Sequence, residues 1–360
     1  VRPMPWGPAG TLYKGTMEDG EPMRAKSDCL SVEVTTRCNS SCTHCFVRAR
    51  KAGRVSFDPD LVRTLVREGY EIGYRRLHIT GGEPLLWGGL LGILDYAFGL
   101  GYRTTFLNTN GTLLTAGMAR ELSAYDGLAV SVSLEGPRSL HDRVRGDGSY
   151  ESALQGIDNA LNAGLPVYIF TTVRKSLLGD LPSFADGVFR AFPDLTGLIF
   201  IQLIRVREDV LDLSGEVLDP DDFLRLVRTV SLLNLYGLKA DILNNPLASA
   251  ASKLLKMPWL PRSQPLYQPG SVMITADRRV TLAHSTMDDF GMYEPGVLGS
   301  IIDSDAYGNA VSEDSSFCGD CVHSRLCAGE GMVRPSEWFR DMVQDVPYCK
   351  RVLALASSNG

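Results

Sequence analysis

Strand-like and helix-like segments alternate six times between residues 30 and 240. This predicts an α/β chain: a parallel sheet curved into a partial (β/α)6 barrel, followed by a small C-terminal extension. Three observations carry the prediction. Short β-branched and aliphatic runs are each followed by a longer amphipathic stretch. The alternating region spans roughly 200 residues, enough for an open or partial barrel. Beyond residue 261 the alternation stops, and a hairpin pattern followed by a group of cysteines replaces it.

In chain order, a polar lead-in over 1–29 runs into a strand over 30–34. A helix over 61–70 and a strand over 76–79 follow, the strand ending in Thr80-Gly81-Gly82-Glu83-Pro84. The alternation continues with a helix over 90–98, a strand over 104–107, a helix over 116–125 and a strand over 128–134. It closes with a helix over 150–163, a strand over 167–173, a helix over 181–192, a strand over 198–204 and a helix over 221–235. Segments 272–275 and 279–282 read as a hairpin about Asp277-Arg278. The expected division is a lead-in at 1–29, the barrel at 30–240, a linker at 241–265 and the extension at 266–360. No 20–50-residue repeat is present.

Composition bounds the function. Of 360 residues, 44% are hydrophobic and 22% charged, which excludes disordered and fibrous classes. Thirty-six Lys and Arg against 42 Asp and Glu leave a net charge of −6 without a basic block, so nucleic acid and anionic membrane are not expected partners. No apolar run reaches the ~18 residues of a membrane span, and no hydrophobic signal core opens the chain, so the expected compartment is the cytoplasm.

The eight cysteines are grouped. Cys38, Cys42 and Cys45 form a C-x3-C-x2-C loop after the first strand. Cys318, Cys321, Cys327 and Cys349 form a second group, and Cys29 stands alone. Thiols this close in a chain without an export signal read as metal ligands rather than disulfides. Three thiolates on one loop suit an iron–sulfur cluster that keeps one iron free of protein. With His44 as a fourth ligand, a zinc site is the alternative for this loop. For the second group, zinc and iron–sulfur are equal by spacing. In parallel sheets chemistry collects at the carboxyl ends of strands. The special segments stand there: 37–45, Gly81-Gly82-Glu83, Asn108-Thr109-Asn110-Gly111 and Glu135-Gly136-Pro137.

C-x3-C-x2-C after the first strand and Gly-Gly-Glu-Pro after the second are together similar to the two signatures of the radical S-adenosylmethionine (SAM) enzymes. The resemblance implies a [4Fe-4S] cluster on Cys38, Cys42 and Cys45, with its open iron chelated by SAM. Reductive cleavage of SAM would then yield a 5′-deoxyadenosyl radical that abstracts a substrate hydrogen. Gly81, Gly82 and Glu83 would contact the methionine of SAM: a Gly-Gly turn admits a close ligand, and carbonyls with a carboxylate accept from an ammonium. A Cβ at Gly82 is therefore expected to push SAM away while leaving the clusters intact. His44 stands where the family usually has an aromatic residue beside the adenine. Ser131 to Pro137, with His141-Asp142 and Arg145-Gly146, resembles the fourth-strand segment of one large subfamily. In that subfamily the serine at the place of Ser133 reaches SAM, and Asp usually stands where this chain has Glu135. Asn110 would lie near the active site; its other reading is a turn residue taking positive φ before Gly111.

The second cysteine group resembles the SPASM/twitch extension of the same family, which holds auxiliary [4Fe-4S] clusters. Tyr267, His284 and Gly331 replace cysteines of the nearer cluster, so the resemblance implies one auxiliary cluster on Cys318, Cys321, Cys327 and Cys349, and two [4Fe-4S] clusters in all. A saturated auxiliary cluster would serve electron transfer or stability. Cys29, at the far end of a strand ~17–20 Å long, reads as a buried structural thiol.

The expected function is radical SAM oxidoreductase chemistry in maturation of a ribosomally made peptide or protein. The alternative is modification of a small metabolite such as a carbohydrate or tetrapyrrole, where Arg205 and Arg207 would meet an anionic group. A non-catalytic zinc or iron–sulfur module is the alternative outside enzymes. An electron donor such as flavodoxin or ferredoxin is implied. With only 29 residues before the first strand, a peptide substrate would need a separate leader-binding protein or the cleft itself. Sulfatase-type maturation is disfavoured, because its Asp base would fall on Ser285. No catalytic acid or base is assigned.

Overall fold

The six expected strands form β1 (Cys29–Glu33), β2 (Arg76–Thr80), β3 (Thr104–Thr109), β4 (Leu128–Ser133), β5 (Val167–Val173) and β6 (Gly197–Gln202). They lie parallel in chain order, each hydrogen-bonded to the next. The computed structural model describes residues 27–49, 53–203, 213–243, 245–257, 260, 269–283, 288–311, 321–323 and 346–358. Three further strands extend the sheet: β7 (Ala240–Ile242) beside β6, and the expected hairpin as β8 (Val272–Ile274) and β9 (Val280–Thr281). β8 runs parallel to β1 and antiparallel to β9, giving the order β7-β6-β5-β4-β3-β2-β1-β8-β9, a sheet left open as a partial barrel requires.

The helices are α1 (Phe46–Ala49), α2 (Pro59–Ile72), α3 (Leu90–Leu100), α4 (Ala116–Ser123), α5 (Arg138–Arg145) and α6 (Ser149–Asn162). α7 (Leu181–Ala191), α8 (Pro220–Leu235), α9 (Pro246–Leu254), α10 (Leu298–Ile302), α11 (Asp305–Ala310) and α12 (Val346–Ser358) follow. Local chemistry sets their ends. α2, α8 and α9 each begin with proline behind an Asp or Asn, and Asp58, Asp219 and Asn245 accept from the orphan amides of the first turn. α2 stops at Gly73, whose φ of 123° only glycine adopts easily. The sequence reading missed α5, because its apolar stripe is thin: Leu140, Val144 and a buried His141 on an otherwise charged helix.

Strand alternation splits the core. Side chains such as Leu107, Val130, Val132, Ile169, Leu198 and Phe200 face the helices and join one large apolar cluster. The opposite, inner face carries a small plug of Phe106, Ala129, Tyr168 and Ile199, with Phe170 and Leu243 packed on it. Toward the carboxyl ends the same face turns polar through Asn108, Ser131, Ser133 and Thr172.

The described parts of the extension are fixed to the barrel. Ala276 N–H donates to Glu33 (3.1 Å), and Tyr74 OH donates to the Gly270 carbonyl (2.8 Å). Glu68 on α2 accepts from Tyr293 OH (2.9 Å) and from Leu298 N–H (2.7 Å). Tyr348 on α12 donates to the Leu218 carbonyl (3.0 Å) and accepts from Gln202 at the end of β6 (3.4 Å). Among the described residues no helix is long and apolar enough to cross a membrane.

Candidate active site

The loop after β1 is held before its first cysteine. Val34 N–H donates to the Thr80 carbonyl (2.9 Å) and Thr36 N–H to the Val55 carbonyl (2.8 Å), which carries the chain over the ends of β1 and β2. The Gly-Gly-Glu segment then lies directly on this loop: Gly82 N–H donates to the Thr35 carbonyl (2.6 Å) and Glu83 N–H to the Arg37 carbonyl (2.8 Å). A Cβ on Gly81 would stand 2.6 Å from the Thr35 carbonyl oxygen. One on Gly82 would collide with the Arg37 carbonyl and stand 2.7 Å from that of Thr36. The close approach that requires glycine is therefore met by protein backbone. This corrects the expectation that a side chain at Gly82 leaves the clusters intact, because it must first displace the peptide units leading into Cys38.

Cys38 is exposed, Cys42 buried and Cys45 half-buried. Burial pushes the Cys38 and Cys42 thiols up, and mutual repulsion among the three cysteines adds to it. Three donors face the sulfurs. Ser40 N–H donates to Cys38 Sγ (3.4 Å), Asn110 Nδ2 reaches the same sulfur at 3.9 Å, and Arg145 Nη1 donates to Cys42 Sγ (3.5 Å). Asn110 also donates to Asn39 Oδ1 (2.8 Å), so the end of β3 grips the loop. Among described non-glycine residues only Lys256 and Arg278 have positive φ, so the turn reading of Asn110 does not apply; Gly111 takes that conformation, at φ 80°. The loop is pinned on its other side by Thr43 N–H donating to the Val144 carbonyl of α5 (3.0 Å).

Glu83 is wholly buried and serves the protein. Its carboxylate accepts from Thr109 OH (2.7 Å), Asn110 N–H (2.8 Å) and Leu85 N–H (3.1 Å). Burial raises its pKa against these donors. It locks the end of β2 to the end of β3. Ser133 ends β4 on the inner face, directly opposite Phe170.

A second buried carboxylate organises the far side of the thiols. Glu135 accepts from Arg145 Nε (2.8 Å) and Nη2 (2.5 Å) through one oxygen and from Thr172 N–H (2.9 Å) through the other. Burial would raise Glu135, but Arg145 and then His44 outweigh it and hold the carboxyl well below the usual range. His44 Nδ1 accepts from Arg174 Nη2 (3.1 Å), which leaves the ring proton on Nε2, 3.4 Å from Glu135. With both nitrogens so placed, His44 is turned away from the role of fourth zinc ligand. Glu135 N–H donates to His141 Nδ1 (3.1 Å), and burial followed by Arg145 pulls His141 down to about 4.

The structure thus brings Cys38, Cys42, Cys45, His44, Gly81, Gly82, Glu83 and Asn110 together, with Ser133 at the neighbouring strand end. Arg174 and Thr172 carried no signal beyond their place after or at the end of the fifth strand. Cys29 is buried at the start of β1, its thiol pushed up to about 11 chiefly by burial, as a structural thiol should be. Cys321 and Cys349 are half-buried against the main core. Cys318, Cys327, Arg205, Arg207, Tyr267, His284, Ser285 and Gly331 lie outside the described residues.

The donor set fits a [4Fe-4S] cluster. Cluster thiolates bind separate irons, and N–H groups aimed at their sulfurs are part of such sites. Among the described residues no three His, Cys, Asp or Glu side chains are gathered about a single ion.

An open parallel (β/α) barrel with a three-thiol loop braced by a Gly-Gly-Glu segment defines a class of cofactor-dependent α/β proteins. The model of the radical SAM superfamily matches residues 32–177, from β1 through β5, so this stretch is similar to that superfamily of enzymes. An AdoMet-dependent heme synthase of Oleidesulfovibrio alaskensis is 34% identical over 176 residues, 48% of this chain and 43% of that protein. Mycofactocin maturase MftC of Mycolicibacterium smegmatis is 30% identical over 159 residues, 44% of this chain and 40% of that protein. The chain spans about half the length of the curated relatives it matches, or less. The solved structure of anSMEcpe with bound AdoMet and Kp18Cys peptide superposes with a TM-score of 0.66 at 16% identity, over 92% of this chain and 99% of that one. At that identity the likeness shows the fold.

Proposed function

We propose that the chain reductively cleaves SAM on a [4Fe-4S] cluster held by Cys38, Cys42 and Cys45 and abstracts a hydrogen from its substrate. The observation that carries this is the convergence of the ends of β2 and β3 and of helix α5 on one thiol loop, through Gly82, Asn110 and Arg145. When bound, the cluster supplies the electron that breaks the sulfonium of SAM into methionine and a 5′-deoxyadenosyl radical. The chain's own residues orient and shelter. With the Glu83 carboxylate engaged by Thr109 and Asn110, the carbonyls of Gly81 and Gly82 are the acceptors offered to the methionine ammonium. Ser133 and His44, its ring oriented by Arg174 and Glu135, would meet the ribose and adenine.

The favoured substrate is a ribosomally made peptide or protein, in line with the fold shared with the peptide-bound anSMEcpe and the match to mycofactocin maturase. One observation favours a small tetrapyrrole-type metabolite instead: the 34% identity to a heme synthase. Cys318, Cys321, Cys327 and Cys349 hold an auxiliary [4Fe-4S] cluster of SPASM/twitch type in this reading, and a flavodoxin or ferredoxin donates electrons in the cytoplasm. The test is anaerobic reconstitution followed by incubation with SAM, reductant and candidate peptides and metabolites encoded beside the gene. About eight irons per chain, 5′-deoxyadenosine and a substrate mass change on a peptide are expected. One zinc with about four irons would overturn the auxiliary cluster, and a mass change on the metabolite alone would overturn the peptide.

A further inference from the structure

Arg145 and Glu135 are nearly sealed from solvent, their side chains 12% and 1% exposed. Glu135 takes the guanidinium by Nε and Nη2, and this fork leaves Nη1 to donate to Cys42 Sγ (3.5 Å). The carboxylate is itself fixed, because its other oxygen accepts from the Thr172 amide at the end of β5. The cation therefore cannot swing away from the sulfur without giving up a buried ion pair. Lysine could not replace it, since an ammonium has no planar fork to serve a carboxylate and a sulfur at once. The Glu135 carboxylate meets Arg145 and His44 together.

A positive donor beside a ligating sulfur favours the form with the extra electron, and hydrogen bonds to cluster sulfurs are among the levers that set reduction potential. Water screens the effect little at this depth. We propose that Arg145, locked by Glu135, is the positioning residue that raises the reduction potential of the cluster on Cys38, Cys42 and Cys45. This rests on the reading that those thiols hold a [4Fe-4S] cluster.

The test compares the reconstituted parent with Arg145→Lys and with the charge-balanced pair Arg145→Gln, Glu135→Gln, which leaves no buried carboxylate alone. Iron per chain is counted, and a redox titration followed by electron paramagnetic resonance tracks the signal that changes when SAM is added. Full iron with a midpoint shifted to more negative potential is expected in both, the larger shift in the paired variant. An unchanged midpoint at full iron overturns the proposal. Loss of iron in both variants with parent-like circular dichroism also overturns it, leaving Arg145 a brace for the loop alone. A parent without any SAM-responsive signal would instead overturn the cluster reading beneath it.

Discussion

Cys29 and Cys42 stand beyond or at the two ends of the same strand and are about equally buried, 8% and 9% exposed, yet their contacts differ. Cys29 lies at the amino end beside the Asp28–Arg76 pair (2.5 Å), where burial outweighs Arg76 and pushes its thiol up to about 11. Cys42 lies beyond the carboxyl end with a guanidinium donating to its sulfur. The inner face of the sheet repeats the contrast: an apolar plug of Phe106, Tyr168 and Ile199 below, and carboxylates, amides and thiols above. Burial does not distinguish the two thiols. The donors around them do, and in a parallel sheet such donors converge where the loops leave the strands.

The comparison can be broken most severely at Gly82. Valine there must displace the carbonyls of Thr36 and Arg37, so Gly82→Val is expected to lose the first cluster and about half of the iron. Gly88→Ala, where a Cβ meets nothing within 4 Å, should keep all of it. Full iron in Gly82→Val would mean that the loop gives way more easily than its contacts indicate.

A middle-sized effect is expected at Asp241, which β7 places opposite Ile199 at the level of the plug. Burial raises its carboxyl to about 7. Between the ordinary carboxylate range and that value the folded chain holds the proton more tightly than the unfolded chain, so stability falls as pH rises through this window. Asp241→Asn should raise Tm by a few degrees more at pH 8 than at pH 5. An equal change at both pH values would show that the carboxyl does not titrate there.

The smallest effect belongs to Cys29. Cys29→Ala is expected to cost about 1 kcal/mol in denaturant unfolding, with iron content and SAM cleavage at parent level. Loss of either activity or iron would place this thiol in the chemistry.

Most of the barrel was legible because its outer-face strands are continuous aliphatic runs and its helices have clear caps. β7 and α5 were missed, the first being only three residues long and the second carrying too thin an apolar stripe. At the site, spacing singled out the thiols and glycines, the residue types that metal ligation and tight turns would demand. It could not reveal what Glu83 and Glu135 touch. Their partners Thr109, Asn110 and Thr172 arrive from other strand ends and Arg145 from α5, and that pairing exists only in three dimensions. The need for glycine at position 82 was legible, but its cause, a neighbouring backbone, was not.

The most direct test of the thiol loop as the seat of chemistry is 5′-deoxyadenosine formation by Cys42→Ala with excess SAM and strong reductant. The variant is first verified by circular dichroism and by iron analysis to be folded and without the first cluster. No 5′-deoxyadenosine is expected. Formation at the parent rate would contradict the radical SAM reading outright.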